Sequence, residues 1–447
     1  MTASALALAG GPPAVPAGSH RRWPEITADD RAAVGRVLDR GELWGPNATE
    51  VSALQAEWAR YVGARHCLLT NSGTAALHCA LAAAGVRAGD EVIVPAFSFV
   101  ATAMAVFHQG AVPVFCDIDP LIHTIDARAI EALVGPRTRA IVPVHVHGLP
   151  ADMDEIRSVG RRHGLAVIED AAQAHGATYR GAQAGTIGHS GAFSLNGSKH
   201  LSAGEGGLFV TDDEDAFDIA RRLAIFGEDT PPPPAGHYRA YRSHMVGWNY
   251  RSHELTAALA RSQLRRLDRY IRAAQRNARL LNAILAEHPG LQAPRVPDDR
   301  SCVFYRYRIV LDPEELGFAG TPVELRDRLL CALQSEGVAA SMWQLEPLPA
   351  QPVFDGRDHP SWHPAAHPVT SRLLKSSFVI GSAEHPLFNQ PAHLMQLYAE
   401  AFEKVMSDLE TVFTADYRPV RPWPPSASRA RHSTTHRAKR SWPASVR

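Results

Sequence analysis

A carboxylate and a lysine within residues 165–210 have the types and the spacing for chemistry on an aldehyde cofactor. One apolar run, 165–168, leads to Asp170, and another, 191–195, leads to Lys199. A lone Asp after a strand is usually a helix cap, and a lone lysine is usually a surface charge. Together the two residues indicate a site for an aldehyde cofactor, because a lysine amine can form an imine with an aldehyde and a carboxylate can keep a ring nitrogen protonated. Two strand ends would deliver both groups to one edge of a sheet, where open α/β sheets bind their ligands.

Pyridoxal phosphate (PLP) needs these two groups and also a cradle for its phosphate. A polar turn, Asn71-Ser72-Gly73-Thr74, opens an Ala- and Leu-rich helical segment. The first backbone N–H groups of a helix are unpaired and attract anions. A plain Ser/Thr helix cap would leave the same pattern, so the turn alone does not decide between the two.

These motifs together resemble those of the DegT/DnrJ/EryC1/StrS family of PLP-dependent sugar and cyclitol aminotransferases. The family pattern E-D-x-A-Q-A-H-G-A corresponds to residues 169–177. Its F-S-x-x-x-x-K pattern corresponds to Phe193, Ser194 and Lys199, and its G-E-G-G pattern to 204–207. The resemblance runs from about residue 8 to about residue 405, and several independent motifs agree.

Two short motifs are similar to one branch of this family, the glutamine:scyllo-inosose aminotransferases and the aminohydroxybenzoate synthases. The first is the start Gly10-Gly11-Pro12-Pro13, and the second is the Ala-Gly-Glu-Gly-Gly turn at 203–207. The pair at 196–197 is also similar to the synthases, whereas residues 198–200 depart from their pattern.

The resemblance implies roles for two catalytic residues and for the residues around the ring. Lys199 would hold PLP as a covalent imine and move a proton between the substrate carbon and the cofactor. Asp170 would pair with the pyridinium, and Gln173 would form a hydrogen bond near the ring hydroxyl. Phe99, the second aromatic of its motif, would stack on the ring.

The remaining cofactor-binding residues implied by the resemblance hold the phosphate. They are Ser72, Gly73, Thr74, Ser194 and Asn249. The G-x-N-Y-R pattern at 247–251 implies that Asn249 reaches the phosphate bound by the other subunit, so that a homodimer shares its active sites.

The implied fold is the PLP-dependent transferase fold type I, an α/β architecture. It has a large domain with a mostly parallel seven-stranded sheet between helices and a smaller C-terminal α/β domain. The alternation of apolar strands and helical segments over 66–226 independently favours such a sheet. We predict an N-terminal arm at 1–26, flexible by composition, a large PLP-binding domain at 27–268, a small domain at 269–415 and a disordered basic tail at 416–447.

The implied activity is transfer of an amino group from glutamine or glutamate to a keto sugar or keto cyclitol, in the biosynthesis of aminosugar or aminocyclitol antibiotics. One alternative is an aminotransferase acting on a nucleotide-linked keto sugar, and another is an enzyme similar to aminohydroxybenzoate synthase. Two alternatives belong to other classes of protein, a lyase on this fold and a non-catalytic PLP-fold regulator or partner subunit. The intact set of Asp170, Gln173 and Lys199 argues against the regulator.

Composition argues against several other functions. The chain has 46 Lys and Arg residues and 46 Asp and Glu residues, so its formal net charge is zero. This charge balance gives no indication of binding to nucleic acid or to a membrane surface. The five cysteines form no Cys-x-x-Cys pair, so neither a zinc site nor a disulfide framework is indicated. We therefore expect a cytoplasmic enzyme without a metal or a transmembrane segment.

Four histidines near these motifs have no clear role in the sequence. His145 and His147 bracket a predicted strand end and lack the further ligands that a metal would need, so they are considered as substrate-side groups. His175 lies within the Asp170 motif. His200 follows Lys199 directly, and it either acts on the lysine or the substrate or points away from both.

Overall fold

Alternating strands and helices build a three-layer unit around one large sheet. The structure is a computed structural model that describes residues 5–44, 48–228, 242–355 and 359–417. The elements of this unit are, in chain order, α1 (Ala28–Arg40), α2 (Thr49–Val62), β1 (His66–Thr70), α3 (Gly73–Ala83), β2 (Glu91–Pro95), α4 (Ala101–His108), β3 (Val112–Cys116), α5 (Ala127–Ile130), β4 (Thr138–Ile141), α6 (Met153–His163), β5 (Ala166–Asp170), β6 (Thr178–Tyr179), β7 (Ala182–Gln183), β8 (Ser190–Ser194), β9 (Gly207–Thr211), α7 (Glu214–Ala224) and α8 (Glu254–Leu264).

The large sheet has seven strands in the order β1-β9-β8-β5-β4-β2-β3. The strands from β8 to β3 pair in parallel, and only β9 runs antiparallel to its neighbours β8 and β1. Every residue of β2, β8 and β9 is buried, as expected for strands covered on both faces. The predicted mostly parallel seven-stranded sheet is thereby confirmed. Because β5 and β8 are parallel neighbours, Asp170 and Ser194 end at the same edge.

A smaller α/β unit follows, built on an antiparallel sheet in the order β10-β11-β13-β12. Its elements are α9 (Leu267–Ala286), β10 (Leu291–Gln292), β11 (Tyr307–Leu311), α10 (Pro322–Ser335), β12 (Ala340–Ser341), α11 (Pro368–Lys375), β13 (Ser377–Ile380), α12 (Ala392–Met406) and α13 (Leu409–Thr414). Its core brings α9, α10 and α12 onto this sheet. The exact domain boundaries stay predictions, and most of the predicted tail lies outside the described residues, from 418 onward.

Local sequence signals start two of the helices. Thr27 caps α1 and accepts a hydrogen bond from the N–H of Asp30, whose carboxylate accepts one in return. Thr321 and Glu324 form the same reciprocal capping box at α10, where Pro322 occupies the first turn. Such caps satisfy N–H groups that the helix itself cannot pair. Within the described residues, no helix is long and apolar enough to cross a membrane.

The N-terminal arm is packed against the smaller unit, so the prediction of a flexible arm is wrong for its described part, residues 5–26. Leu6, Val15 and Trp23 are buried in the core of that unit. Trp23 packs edge-to-face on two aromatic rings, with centroid distances of 4.9 Å to Tyr270 and 4.8 Å to Phe388. Composition suggested flexibility because the arm is rich in Gly, Pro and Ala. Its few large apolar residues nevertheless bury enough surface to hold it in place.

Candidate active site

Asp170 is a buried carboxylate at the carboxyl end of β5. Thr102, in the first turns of α4, donates its hydroxyl hydrogen to Oδ2 at 2.7 Å, and the N–H of Ala172 donates to Oδ1 at 3.2 Å. Burial raises the pKa of Asp170, although these two hydrogen bonds act in the opposite direction. No cation of the described chain lies within ion-pair distance of this carboxylate. The described residues thus place a buried carboxylate at this sheet edge without an ion-pair partner, although the charge of Lys199 also acts to lower its pKa.

Lys199 lies in the turn after β8, half-buried against an aromatic ring. Its Nζ is 4.3 Å from the ring centroid of Tyr305, a residue of the smaller unit. The Tyr305 hydroxyl is 3.0 Å from Ser198 Oγ, which donates to Asn196 Oδ1 at 2.9 Å. Burial raises the pKa of Tyr305, but the nearby charges of Lys199 and Arg306 outweigh burial and lower it overall. The lysine is therefore held between the two units of the fold.

The predicted phosphate cradle is assembled from three strand ends and one helix start. Ser72 caps α3 and accepts a hydrogen bond from the N–H of Ala75 at 3.1 Å. A Cβ on Gly73 would lie 2.9 Å from Ser194 Cβ, and one on Gly207 would lie 2.2 Å from the Ser72 carbonyl oxygen. Both positions therefore need glycine to let the helix start approach β8 and β9. The structure thus brings Ser72, Gly73 and Ser194 together, at the positive end of α3.

Thr74 lies in the first turn of α3, beside Gly73, and remains partly exposed. Its position in that turn places it with the rest of the predicted cradle.

Gln173 and Phe99 are both placed where a ring could meet them. Gln173 is buried, and its Oε1 accepts a hydrogen bond from the N–H of His147 at 2.7 Å. Its Nε2 makes no hydrogen bond to any described residue and is free to donate. Phe99 is 58% exposed, just before α4. A core role, the usual explanation for such an aromatic, does not fit that exposure.

Asn249 is exposed and lies beside the cradle of its own chain. Its main-chain oxygen accepts a hydrogen bond from Asn71 Nδ2 at 3.2 Å, and its Oδ1 accepts one from Arg251 Nε at 3.2 Å. These contacts fix the segment against the turn that precedes α3.

Glu169 supports Asp170 from the other side of β5. Its carboxylate accepts backbone hydrogen bonds from Gly185 at 2.7 Å and from Ile187 and Gly188 at 2.6 Å each. It also lies 2.8 Å from His145 Nε2. Since His145 Nδ1 accepts the N–H of Ala151, its Nε2 carries the hydrogen and donates to Glu169. A fully buried carboxylate is thus satisfied by four donors.

Replacing Glu169 with glutamine is expected to destabilise the fold by about 3 kcal/mol, because the new amide N–H₂ must face a donor instead of an acceptor. The measurement is the thermal unfolding midpoint, which we expect to fall by several degrees. The matched control is Glu131→Gln, at an exposed carboxylate that pairs with Arg162. Equal midpoints for the two variants would contradict this account of Glu169.

The other histidines are positioned as parts of the core. His200 Nε2 donates to the Val303 carbonyl at 2.9 Å and its ring lies against Phe388, so its ring N–H is used within the core. Burial lowers the pKa of His200 to about 3. His175 packs between Trp58 and Phe193, and burial holds its pKa well below the ordinary value. Neither ring faces the candidate site as a charged group.

His147 links Gln173 to the smaller unit. Its Nε2 accepts a hydrogen bond from Arg308 at 3.1 Å, and it has a positive φ of 57°. Burial and the charge of Arg308 hold the pKa of His147 well below its ordinary value, so the ring is a neutral acceptor. Like His145, it is a structural residue in these contacts. Together the described residues contain no group of three or more His, Cys, Asp or Glu side chains that could hold a metal ion.

Thr102 and Tyr305 are site residues that sequence reasoning missed. Thr102 stands in the motif that contains Phe99, but only the packing of α4 against β5 shows that it bonds to Asp170. Tyr305 lies far from Lys199 in sequence and carried no motif that singled it out. A search for polar residues in the first turn of the helix after Phe99 could have found Thr102.

The residues present fit PLP. Asp170 is a buried carboxylate without an ion-pair partner among the described residues, which suits a protonated ring nitrogen, and Lys199 supplies an amine at the same sheet edge. Among the described residues the Gln173 N–H₂ group has no hydrogen-bond partner, and the close approach of Gly73 to Ser194 brings the start of α3, where an anion can bind, beside the end of β8.

Comparison with known proteins agrees with this chemistry. The profile of the DegT/DnrJ/EryC1/StrS aminotransferase family matches residues 24–385. A putative L-glutamine:3-amino-2,3-dideoxy-scyllo-inosose aminotransferase of Streptoalloteichus tenebrarius is 40% identical over 341 residues, covering 75% of this chain and 79% of the relative. Protein MosB of Rhizobium meliloti is 34% identical over 387 residues, covering 84% of this chain and 76% of that protein.

A solved structure shows the same fold. The crystal structure of 3-amino-5-hydroxybenzoic acid (AHBA) synthase superposes with a TM-score of 0.78 and 28% sequence identity, covering 87% of this chain and 99% of that chain. The predicted resemblance and fold type I are thereby confirmed. The chain belongs to the DegT/DnrJ/EryC1/StrS aminotransferase family and is a PLP-dependent aminotransferase.

Proposed function

We propose that this enzyme transfers an amino group from glutamine or glutamate to a keto sugar or keto cyclitol, with PLP bound covalently at Lys199. The observation that carries the proposal is Asp170, a buried carboxylate with a raised pKa and no cation partner among the described residues. It lies at the sheet edge that leads to the lysine. A protonated ring nitrogen is the cation that such a carboxylate stabilises.

Each residue around the cofactor ring has a separate role in the proposed reaction. When bound, PLP supplies an aldehyde carbon that exchanges amines and a ring that takes up the electron pair of a broken C–H bond. Lys199 Nζ takes a proton from the substrate carbon of the donor and returns one to the acceptor carbon. Asp170 would keep the ring nitrogen protonated, Gln173 would donate its N–H to an oxygen of the cofactor, and Phe99 would pack against the ring. Thr102 holds Asp170 in place.

Ser72, Gly73, Thr74 and Ser194 bind the phosphate in this proposal. The closeness of Gly73 to Ser194 and the unpaired N–H groups at the start of α3 support it. Fixing the phosphate at this end orients the ring for proton transfer at the other.

Two classes of ketone are candidates for the acceptor. The relative of Streptoalloteichus tenebrarius is named for glutamine and an inosose, which supports a keto cyclitol acceptor and a role in aminocyclitol antibiotic biosynthesis. A nucleotide-linked keto sugar is the second candidate, supported by a relative of Caulobacter vibrioides named GDP-perosamine synthase and 42% identical over 282 residues. The test incubates the holoenzyme and donor with either class of ketone and detects amine products by mass spectrometry. Amination of keto cyclitols alone supports the first candidate, and amination of nucleotide-linked ketones alone overturns it.

A homodimer with shared active sites is also part of the proposal. Large apolar side chains are exposed beside Asn249, with Val246 83% exposed. The others are Trp44, Phe226 and Trp248. Arg251 lies over the rings of Trp44 at 5.1 Å and Phe226 at 5.4 Å, so these three residues form one patch. Exposed apolar patches next to a functional site are typical of protein interfaces, and a second copy of this chain is the occupant we propose.

Mixing two inactive variants tests the shared site. Lys199→Ala removes the lysine, and Asn249→Asp places a negative charge near the phosphate. In a hybrid dimer, a site that takes its lysine from the Asn249→Asp chain and its asparagine from the Lys199→Ala chain is intact. We expect the mixture, after subunit exchange, to regain about a quarter of wild-type turnover, because random pairing makes about half of the dimers hybrid and each hybrid has one intact site of two.

The control is each variant mixed with itself, which should regain nothing. Hybrid dimers that form and remain as inactive as the separate variants would show that Asn249 serves its own chain, beside Asn71.

The cytoplasm is the proposed location. All five cysteines are free thiols in the structure, which suits a reducing compartment.

A further inference from the structure

Four arginines line an open cleft of about 420 Å³ in the smaller unit. The cleft lies between the N-terminal arm, α9 and the segment 388–392 that leads into α12. Its arginines are Arg21 of the arm and Arg269, Arg272 and Arg276 of α9. No residue that lines the cleft belongs to the candidate active site, and its volume is in the range of sites that bind small ligands. The cleft is therefore a second place where this protein can hold a ligand.

The positive charge around this cleft is not balanced by carboxylates of the chain. Arg269 forms an ion pair with Glu25 of the arm. Among the residues that the structure describes, no carboxylate lies within ion-pair distance of Arg21, Arg272 or Arg276. Since the whole chain has equal numbers of basic and acidic residues, three unpaired arginines around one cleft are a local excess of positive charge. Such an excess in a concave site attracts anions.

Two of the four arginine side chains are held in place by the residues around them. The guanidinium of Arg269 lies over the ring of Tyr270, with Cζ 4.9 Å from the ring centroid. Arg276 Nη2 donates to Asn277 Oδ1 at 3.2 Å and to the Gln390 carbonyl at 3.4 Å. Its Nη1 makes no hydrogen bond to any described residue, so it can donate to a ligand. Because these side chains are already ordered, a ligand that binds them loses less affinity to their rotamer entropy.

The number of unpaired arginines favours a ligand with more than one phosphate group. A guanidinium presents paired N–H groups that fit the oxygens of either a carboxylate or a phosphate. A carboxylate carries one negative charge, and a phosphate monoester carries about two at neutral pH. Two linked phosphate groups carry enough negative charge to match all three unpaired arginines.

We propose that this cleft binds a small ligand with two or more linked phosphate groups, either inorganic pyrophosphate or a nucleotide. Arg21, Arg272 and Arg276 bind the phosphate oxygens. Since the first belongs to the arm and the other two to α9, the bound ligand joins the arm to the rest of the smaller unit. This site is additional to the function proposed above and does not depend on it.

The test is a calorimetric titration of pyrophosphate into the holoenzyme, saturated with PLP so that the cradle of the candidate active site is filled. We expect one molecule to bind per chain without loss of the visible band. Arg272→Gln/Arg276→Gln should bind pyrophosphate about 100-fold more weakly, because each lost charged contact weakens binding about tenfold. The matched control is Arg157→Gln/Arg161→Gln on α6, which removes two exposed arginines at the same spacing and should bind as the wild type does.

ADP, titrated in the same way, distinguishes the two sources of linked phosphates. Tighter binding of ADP than of pyrophosphate, lost in Arg272→Gln/Arg276→Gln, would identify a nucleotide as the ligand. Equal or weaker binding of ADP would identify pyrophosphate itself. Arg272→Lys/Arg276→Lys keeps both charges without the paired N–H groups, and its affinity should lie between those of the wild type and the glutamine variant.

Thermal unfolding gives a second readout that does not depend on activity. Pyrophosphate should raise the thermal midpoint of the wild type, because a ligand that binds only the folded state stabilises it. It should leave the midpoint of Arg272→Gln/Arg276→Gln unchanged at the same concentration. The midpoints of the glutamine variants of α9 and α6 without ligand, compared with each other, show whether the fold of the α9 variant is intact.

Three results would overturn the proposal. If pyrophosphate does not bind the folded holoenzyme, the cleft is not a site for linked phosphates. If the wild type and Arg272→Gln/Arg276→Gln bind it equally, the anion binds elsewhere, and accompanying loss of the visible band would place it in the cradle at Ser72. If sulfate binds as tightly as pyrophosphate at the same ionic strength, the arginines attract anions in general and do not select linked phosphates.

Discussion

Replacing Lys199 with alanine is expected to abolish covalent attachment of PLP and to lower amino transfer by about 10⁴-fold or more. The amine is the only group of the proposed site that can form an imine and also move the proton at the substrate carbon. The measurement is reduction with borohydride followed by intact-mass analysis. Wild-type protein should gain the mass of one reduced cofactor per chain, and Lys199→Ala should gain none.

The control is Lys199→Arg, which keeps a positive charge against Tyr305 but stays protonated and cannot form an imine. It should behave as the alanine variant does, while its thermal midpoint stays near that of the wild type. Attachment of PLP to either variant would show that another lysine holds the cofactor.

Replacing Asp170 with asparagine is expected to lower turnover about 10³-fold with the fold intact, because a neutral amide no longer stabilises a protonated ring nitrogen. The fold should tolerate the change. Thr102 Oγ1 lies 2.7 Å from both Asp170 Oδ2 and Ser98 Oγ, so its hydroxyl can turn to donate to Ser98 and accept from the new amide. The measurement is turnover at saturating donor and PLP, together with the thermal midpoint.

A milder variant separates the charge of Asp170 from its position. Thr102→Val removes one hydrogen bond to the carboxylate and keeps its charge, so we expect a loss of only about tenfold, from one hydrogen bond of about 1.4 kcal/mol. If Asp170→Asn and Thr102→Val reduced turnover equally, the charge of Asp170 would not be what the reaction needs.

The sequence could predict those parts of the site that are formed by residues close to one another in the chain. The apolar run before Asp170 is β5, and the run before Lys199 is β8, so both were placed at a sheet edge by local pattern and by their strands being parallel. The turn at Ser72 was predicted as a helix start for the same reason. In each case one short stretch of sequence contains both the signal for the strand or helix and the site residue at its end.

The parts that the sequence could not predict depend on contacts between distant segments. Thr102 bonds to Asp170 across 68 residues, and Ser198 reaches Tyr305 across 107. The sequence could not predict the orientation of the His200 side chain. Lys199 and His200 lie in a turn, where the alternation of side chains along a strand does not apply.

The arm was mispredicted for a related reason. Its composition describes how its chain behaves alone, whereas Glu336 holds it by accepting hydrogen bonds from the N–H groups of Ala7 at 2.7 Å and Ala14 at 2.9 Å. Lys404 donates to the same carboxylate at 2.9 Å. These partners lie more than three hundred residues along the chain, at separations of 329 and 322.

The absorbance spectrum of the purified protein with PLP, recorded before and after the addition of glutamine or glutamate, tests the central claim most directly. We expect a visible band from the imine with Lys199, which bleaches with one of the two amino acids and returns when a keto acceptor takes up the nitrogen. A folded protein that forms the band and responds to neither amino acid would contradict the proposed donors, and one that forms no band would contradict the assignment of Lys199.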